Sequence, residues 1–450
     1  MKHLFLIRHA KSSWADDTLH DRERPLNARG QRQLAPLGRA LARAGAFSGH
    51  VCASPAARAQ QTLAGIRPAS LPETAAQTDP ALYTFDHRRL ADWLKRCDGA
   101  ETLAIVGHNP ALLELAQWLL KHPPQQLPTA SFLHLRLPIA HWHQLAKGKA
   151  RLESLQTPND FSYTEFARKR RKRADTDGSR PDRDIPAALS HQLQWLAQLE
   201  PGVRLGLDEE FLHQYRIALR RSRAIAEAVQ AVTSDRHLLP VIKGLKRAAR
   251  ATSTLRDLHV WLGQLPDLGA DNDDVVTALH TYFEGQADEQ QATLEQRLDS
   301  KRHRRDLADW QALIESRQFR RLTAGLQPGD IRTAVVQRIR EYNRRTAELL
   351  FDSPDGDVHR LRKLLKRIRY LMELDRAGWK PTLKEIKQRQ QLFGRFQDLH
   401  VQVELMRQFE QGAPDTLPAA IANLRRELER HKADARRQTL ALGGLDGPAL

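Results

Sequence analysis

HRLRKLLKRIR, residues 359 to 369, is the stretch from which the rest of the chain can be read. On a helix each residue turns by about 100°. His359, Arg362, Lys366 and Arg369 then share one narrow arc, and Leu361, Leu364, Leu365, Ile368 and Leu371 lie opposite. The segment is an amphipathic helix with an almost purely cationic polar face. HQYRIALRRSR, residues 213 to 223, repeats it: His213, Arg216, Arg220 and Arg223 take the same offsets, and Arg221 matches Arg367. One such helix reads as a solvated face, whereas two with matched offsets read as a duplicated binding element.

The duplication extends further. DLHV occurs at residues 257–260 and again at 398–401. Before the first copy lie Lys243, Lys246, Arg247 and Arg250 at helical spacing. Before the second lie Lys384 and Lys387, with Gln391 in the place of Arg250 and Arg395 following on that face. From residue 185 to 450 the periodicity is helical throughout, with breaks near 201–206, 266–274, 327–330, 353–357, 379–381 and 412–418. This predicts an all-α domain of two duplicated four-helix bundles. Offsets of 0, 3, 7 and 10 span about 15 Å. Such a ladder of positive charge suits successive phosphates of a linear polyanion. Aromatic residues are few on this face, Tyr215 and Tyr370 flanking it. Single-strand nucleic-acid readers add stacking platforms, so a bare phosphate chain fits better than RNA or DNA, which stays the alternative. Asp257 and Asp398 read as partners of nearby arginines or as helix caps.

The chain has 450 residues, too many for one core, and carries a formal net charge of +17. Its two cysteines, Cys52 and Cys97, make neither a disulfide framework nor a metal site. The apolar run after Lys2 breaks at Arg8, and no stretch approaches membrane-spanning length. The expectation is a cytoplasmic protein without a cofactor or metal. Residues 159–184, with RKRRKR at 168–173 followed by Asp, Gly, Ser and Pro, read as a basic linker.

Residues 1–158 have a different texture. Short apolar runs at 4–7, 51–53 and 103–106 read as buried parallel strands. Helical patterns lie at 29–44, 56–65, 88–95 and 111–120, and later strands at 131–137 and 150–155. The prediction is an α/β domain with a mostly parallel sheet and helices on both faces. Ligands of such sheets sit beyond the carboxyl ends of the strands. Arg8 and His9 follow the first strand and His108 another; Arg58 opens a helix after a third, and Arg24 lies in the loop after the first. This set suits phosphoryl transfer. A neutral imidazole attacks phosphorus, arginine forks bind the oxygens, and a second histidine donates to the same group. No general acid is evident from the motifs; Asp79, before Pro80, is the candidate.

RHAKSSW, ERPLNARG, SPAARAQQT and VGHNP, in that order, resemble the histidine phosphatase superfamily, in its small SixA-type branch of phosphohistidine phosphatases. The resemblance covers residues 1–158. It implies His9 as the phosphoryl-accepting nucleophile, a phosphate pocket of Arg8, Arg58 and His108, and Arg24 in the place of a further arginine. The substrate it implies is a phosphorylated protein or a small phosphorylated compound. The repeated helices resemble the CHAD domain over residues 185–450, which implies bundles related by pseudo-twofold symmetry, a basic groove and inorganic polyphosphate as partner. It also implies a place at polyphosphate granules. A polyphosphate-binding protein with little or no phosphatase activity is the competing reading.

Overall fold

The computed structural model describes residues 1–16, 18–67, 76–97, 99–168, 184–268, 273–413 and 415–446. The basic linker lies, from residue 169 to 183, outside the described residues. The chain divides into two compact units, Met1–Ala174 with Pro201–Glu210, and Asp175–Glu200 with Phe211–Leu450.

The first unit is built on a six-stranded sheet of order β3-β2-β4-β1-β5-β6. The strands are β1 (Lys2–Arg8), β2 (His50–Ala53), β3 (Ala76–Thr78), β4 (Thr102–Gly107), β5 (Phe132–Leu137) and β6 (Arg151–Gln156). β1, β2, β3 and β4 run parallel, and β5 and β6 complete the sheet antiparallel. The continuous apolar run of β1 has a simple cause: successive side chains feed opposite faces. Leu4 and Leu6 join Leu103, Ile105, Leu115 and Leu133 on one face. Phe5 and Ile7 join Leu37, Leu41, Val51 and Val106 on the other. The covering helices are α1 (Ala28–Arg43), α2 (Ala57–Ile66), α3 (His87–Lys95) and α4 (Ala111–Leu119).

One close approach fixes the loop after β1. The N-cap Asn27 accepts from the Gly30 N–H at 2.9 Å, while its own N–H donates to the Lys11 carbonyl at 3.0 Å. A Cβ on Gly30 would lie 2.3 Å from that same carbonyl oxygen. Only glycine lets α1 start this near the segment carrying His9.

The second unit is helical. Its first repeat contains Glu209–Thr233, Leu238–Ala251 and Ser253–Gln264, followed by Asp273–Asp299, Lys301–Glu315, Arg317–Ala324 and Pro328–Ala347. The second repeat contains Asp355–Met372, Lys380–Gly412 and Pro418–Leu440. Leu361, Leu364, Leu365, Ile368 and Leu371 are all buried, as the apolar arc requires. The repeats differ just before their DLHV segments. The first breaks at Thr252, whereas the second runs through as a single helix of 33 residues. Ile185–Leu205 also passes Pro201 without a break and ends at Gly206, which has φ +61. The expected stop falls there because glycine, not proline, supplies the left-handed turn.

Candidate functional site

His9 stands one residue beyond β1 and is 8% exposed. Its Nδ1 lies 2.7 Å from the Ala10 carbonyl, an acceptor only, so Nδ1 carries the proton. The Arg58 Nε–H meets His9 Nε2 at 3.3 Å, and a guanidinium can only donate. Nε2 therefore presents a lone pair. Burial drives the imidazole down to about 4, against the Ala10 carbonyl that favours the cation, with Arg58 and Arg8 adding to the drop. A histidine neutral at physiological pH is the form that can attack phosphorus.

His108 follows β4 and faces the same place, its ring centroid 5.1 Å from that of His9. Nε2 lies 2.8 Å from Ser54 Oγ, and Arg58 Nη2 lies 3.3 Å from Nδ1. Burial, then His9 and Arg58, push it down to about 3. Arg58, in the first turn of α2, is itself buried. Its remaining bonds go to Asp21: Nη1 donates to the backbone carbonyl and Nη2 to Oδ2 at 2.8 Å. Arg8 donates through Nη1 to the Leu127 carbonyl at 2.7 Å, and its buried Nε has no partner among the described residues. The Arg24 guanidinium stacks on Trp14 at 3.9 Å and lies 3.7 Å from Asp21 Oδ1. The structure thus brings Arg8, His9, Arg58 and His108 together, with Arg24 one step removed.

Asp79 has another task. It accepts from the Ala81 N–H at 2.8 Å and from Trp93 Nε1 at 2.7 Å, tying β3 to α3. The carboxylate at the pocket is Asp21, which the sequence reading missed, as it missed Ser54 and Tyr83. Its position three residues before Arg24 in DRERPL was the available signal.

In the helical unit the two cationic faces meet. Burial pushes Lys366 down to about 7, helped by Arg362, Arg220, Arg369 and Arg223. Lys363 is lowered by burial and by Arg223, Arg367, Arg250 and Arg362. Arginines of the first repeat thus bear directly on lysines of the second. Lys363 escaped the sequence reading because Ile217 stands at the equivalent place.

Other expected cations have local partners. Arg216 donates from Nη1 to the Ala249 carbonyl, Thr252 Oγ1 and Ser253 Oγ at 3.2, 2.8 and 3.2 Å. Arg247 binds Asp306 two-pronged at 3.0 and 2.5 Å. Arg223 and Lys246 share Glu227 at 3.5 and 3.3 Å. Arg369 donates to Gln390 Oε1 at 2.7 Å and stacks on Tyr370. His359 Nδ1 sits 2.5 Å from Gln397 Oε1, and burial lowers it. His213 is half-buried, and Arg220, Arg221, Lys243, Arg250, Arg367, Lys384, Lys387 and Arg395 are exposed. Burial pushes the Asp257 carboxyl up against the pull of Arg216, and Asp398, more open to solvent, moves the same way.

The sequence model of the CHAD domain matches residues 187–407, and that of the histidine phosphatase superfamily (branch 1) matches residues 4–90. The chain is a histidine phosphatase superfamily member fused to a CHAD domain. Two uncharacterized proteins, from two strains of Mycobacterium tuberculosis, are each 32% identical over 166 residues, which is 34% of this chain and 99% of theirs. The SixA protein of Nakamurella multipartitia is 25% identical with a TM-score of 0.31, covering 35% of this chain and 96% of its own. The CHAD domain of Ricinus communis is 23% identical with a TM-score of 0.48, covering 60% of this chain and 93% of its own. Among the described residues no group of His, Cys, Asp and Glu is arranged to hold a metal, and no helix is long and apolar enough to cross a membrane.

Proposed function

We propose that the phosphatase domain removes a phosphoryl group from phosphohistidine on a protein, or from a small phosphoester, and that the CHAD domain binds inorganic polyphosphate. The observation that carries the first half is the unprotonated Nε2 of His9 facing Arg58 beside His108. Arg58 and Arg8 bind the phosphoryl oxygens, and His108 Nε2–H donates to one of them in place of Ser54. His9 Nε2 attacks phosphorus as the bond to the leaving group breaks. Water then attacks the phosphohistidine, and orthophosphate departs. The Ala10 carbonyl stabilises the imidazolium that forms at each transfer, because it holds the Nδ1 proton.

Turnover of phosphoramidate by the intact protein and by His9→Ala tests this: activity should vanish in the variant, and equal turnover would remove His9 from the role. The second half rests on the convergence of Arg220, Arg223 and Arg250 with Lys363 and Lys366. We assign residues 1–158 to the phosphatase, 159–184 to a linker and 185–450 to the polyphosphate-binding part. Titration of the full chain with polyphosphate and with single-stranded RNA at one salt concentration is the test, since salt sets both affinities. Tighter binding of RNA would overturn the assignment.

A further inference from the structure

The pocket around Arg58 already contains an anion of the protein's own. Arg58 is the arginine best placed to hold a phosphoryl group, since it also touches both histidines. Yet its two terminal nitrogens are engaged by one residue, Asp21, through the carbonyl and through Oδ2 at 2.8 Å. Oδ2 also accepts from the Tyr83 hydroxyl at 3.0 Å, and Oδ1 faces Arg24 at 3.7 Å. The side chain is 46% exposed and sits on a three-residue 3-10 turn, Asp21–Glu23, so it can swing out without disturbing the core. A carboxylate oxygen bound to a guanidinium is the nearest protein equivalent of a phosphoryl oxygen.

We propose that Asp21 occupies the phosphoryl seat of Arg58 in the free enzyme, is displaced by the substrate, and then serves as proton donor to the leaving group. This rests on the phosphatase reading above. In this arrangement burial pushes the carboxyl up, but the hydrogen bonds from Arg58 and Tyr83 outweigh it and hold the acid ionised. A bound phosphoryl dianion reverses both influences: it takes Arg58 away and puts negative charge beside the carboxylate. Both favour the protonated acid.

The step balances. His9 Nε2 forms a bond to phosphorus as the bond from phosphorus to the leaving oxygen breaks, and that oxygen takes the proton of Asp21. In the second half, water attacks phosphorus and gives its proton to the Asp21 carboxylate. The Nε2–phosphorus bond breaks, and the acid is restored. Tyr83 fixes the carboxyl at the mouth beside His108, against which its own ring stands edge-on at 5.6 Å.

The test is Asp21→Asn in the full chain, with two readouts. Orthophosphate affinity, measured by calorimetry, should tighten by about tenfold, because a charged competitor has been removed. This arm is independent of turnover, so it judges the seat even if the phosphatase reading fails. In the second arm an alkyl phosphate, whose alkoxide is strongly basic, should lose about 10²- to 10⁴-fold in kcat. p-Nitrophenyl phosphate, whose phenolate needs little protonation, should lose far less. Unchanged or weaker phosphate binding would overturn the seat. An equal loss on both substrates would overturn the donor, since a merely structural residue does not sense the leaving group.

Discussion

Lys366 offers the sharpest test of the CHAD domain. Its amine is moved from 10.5 to about 7 by burial and by Arg362, Arg220, Arg369 and Arg223. That bias against the ammonium is worth roughly 5 kcal/mol. The unfolded chain keeps the proton up to 10.5, while the folded protein releases it near 7, so stability of the free protein rises with pH across that window. A polyanion lying on the cluster neutralises the arginines and restores the ammonium. Above pH 7 binding must therefore take up a proton, and affinity should fall by up to tenfold per pH unit. Between pH 7.5 and 9 the dissociation constant should weaken by about 30-fold. His359, also pushed below its ordinary value, titrates beneath this window. The assay is fluorescence anisotropy with labelled polyphosphate at fixed ionic strength, on the full chain and on Lys366→Arg. Arginine stays charged throughout, so the variant should show a clearly shallower profile, with Lys363 supplying the slope that remains. The same slope in both proteins would refute the argument.

Four further outcomes are expected. The His9 Cε1–H resonance, followed by NMR, should titrate near 4, as its burial dictates, and a midpoint near 6.5 would mean the ring is solvated. Gly30→Ala places a methyl 2.3 Å from the Lys11 carbonyl; thermal melts should show a loss of about 1–3 kcal/mol together with lowered turnover, and an unaltered Tm would show that the loop gives way freely. Arg247→Ala should leave polyphosphate affinity nearly intact, because Asp306 already holds that side chain. Arg220→Ala should weaken binding several-fold and reduce the salt slope by about one.

Much of this was legible in advance, for reasons that differ between the two domains. β1 and β4 announce themselves because both faces of each strand are buried, so their central positions, Leu4 to Ile7 and Leu103 to Val106, must be apolar. Their ends then place Arg8, His9 and His108 without further information. β3 escaped because three residues, none of them buried, carry no pattern. Asp21 escaped because a carboxylate before an arginine reads as an ordinary surface pair until the fold brings Arg58 to it from 37 residues away. In the CHAD domain the repeat exposed the cationic faces, but it could not say which cations look toward a ligand. Arg216 and Arg247 turn to neighbouring helices, a fact set by Thr252, Ser253 and Asp306 and by nothing on their own helices.

The breaks in the repeat carry information of their own. The first repeat has Ile217 where the second has Lys363, and the second has Gln391 where the first has Arg250. The two departures are not independent, because Arg250 is among the charges that depress Lys363. A cation gained in one repeat stands beside a cation kept in the other, while their equivalents are an isoleucine and a glutamine. The cluster therefore departs from twofold symmetry where Lys363, Arg223, Arg367 and Arg250 gather. Lys363→Ile makes that position match Ile217 of the first repeat and removes one exposed charge. Polyphosphate affinity should drop, with the slope of log affinity against log salt reduced by about 0.7 to 0.9 and helix content by circular dichroism unaltered. If slope and affinity both stay at the level of the intact protein, the asymmetry has no bearing on the ligand, and the lysine is only a solvated neighbour of the arginines.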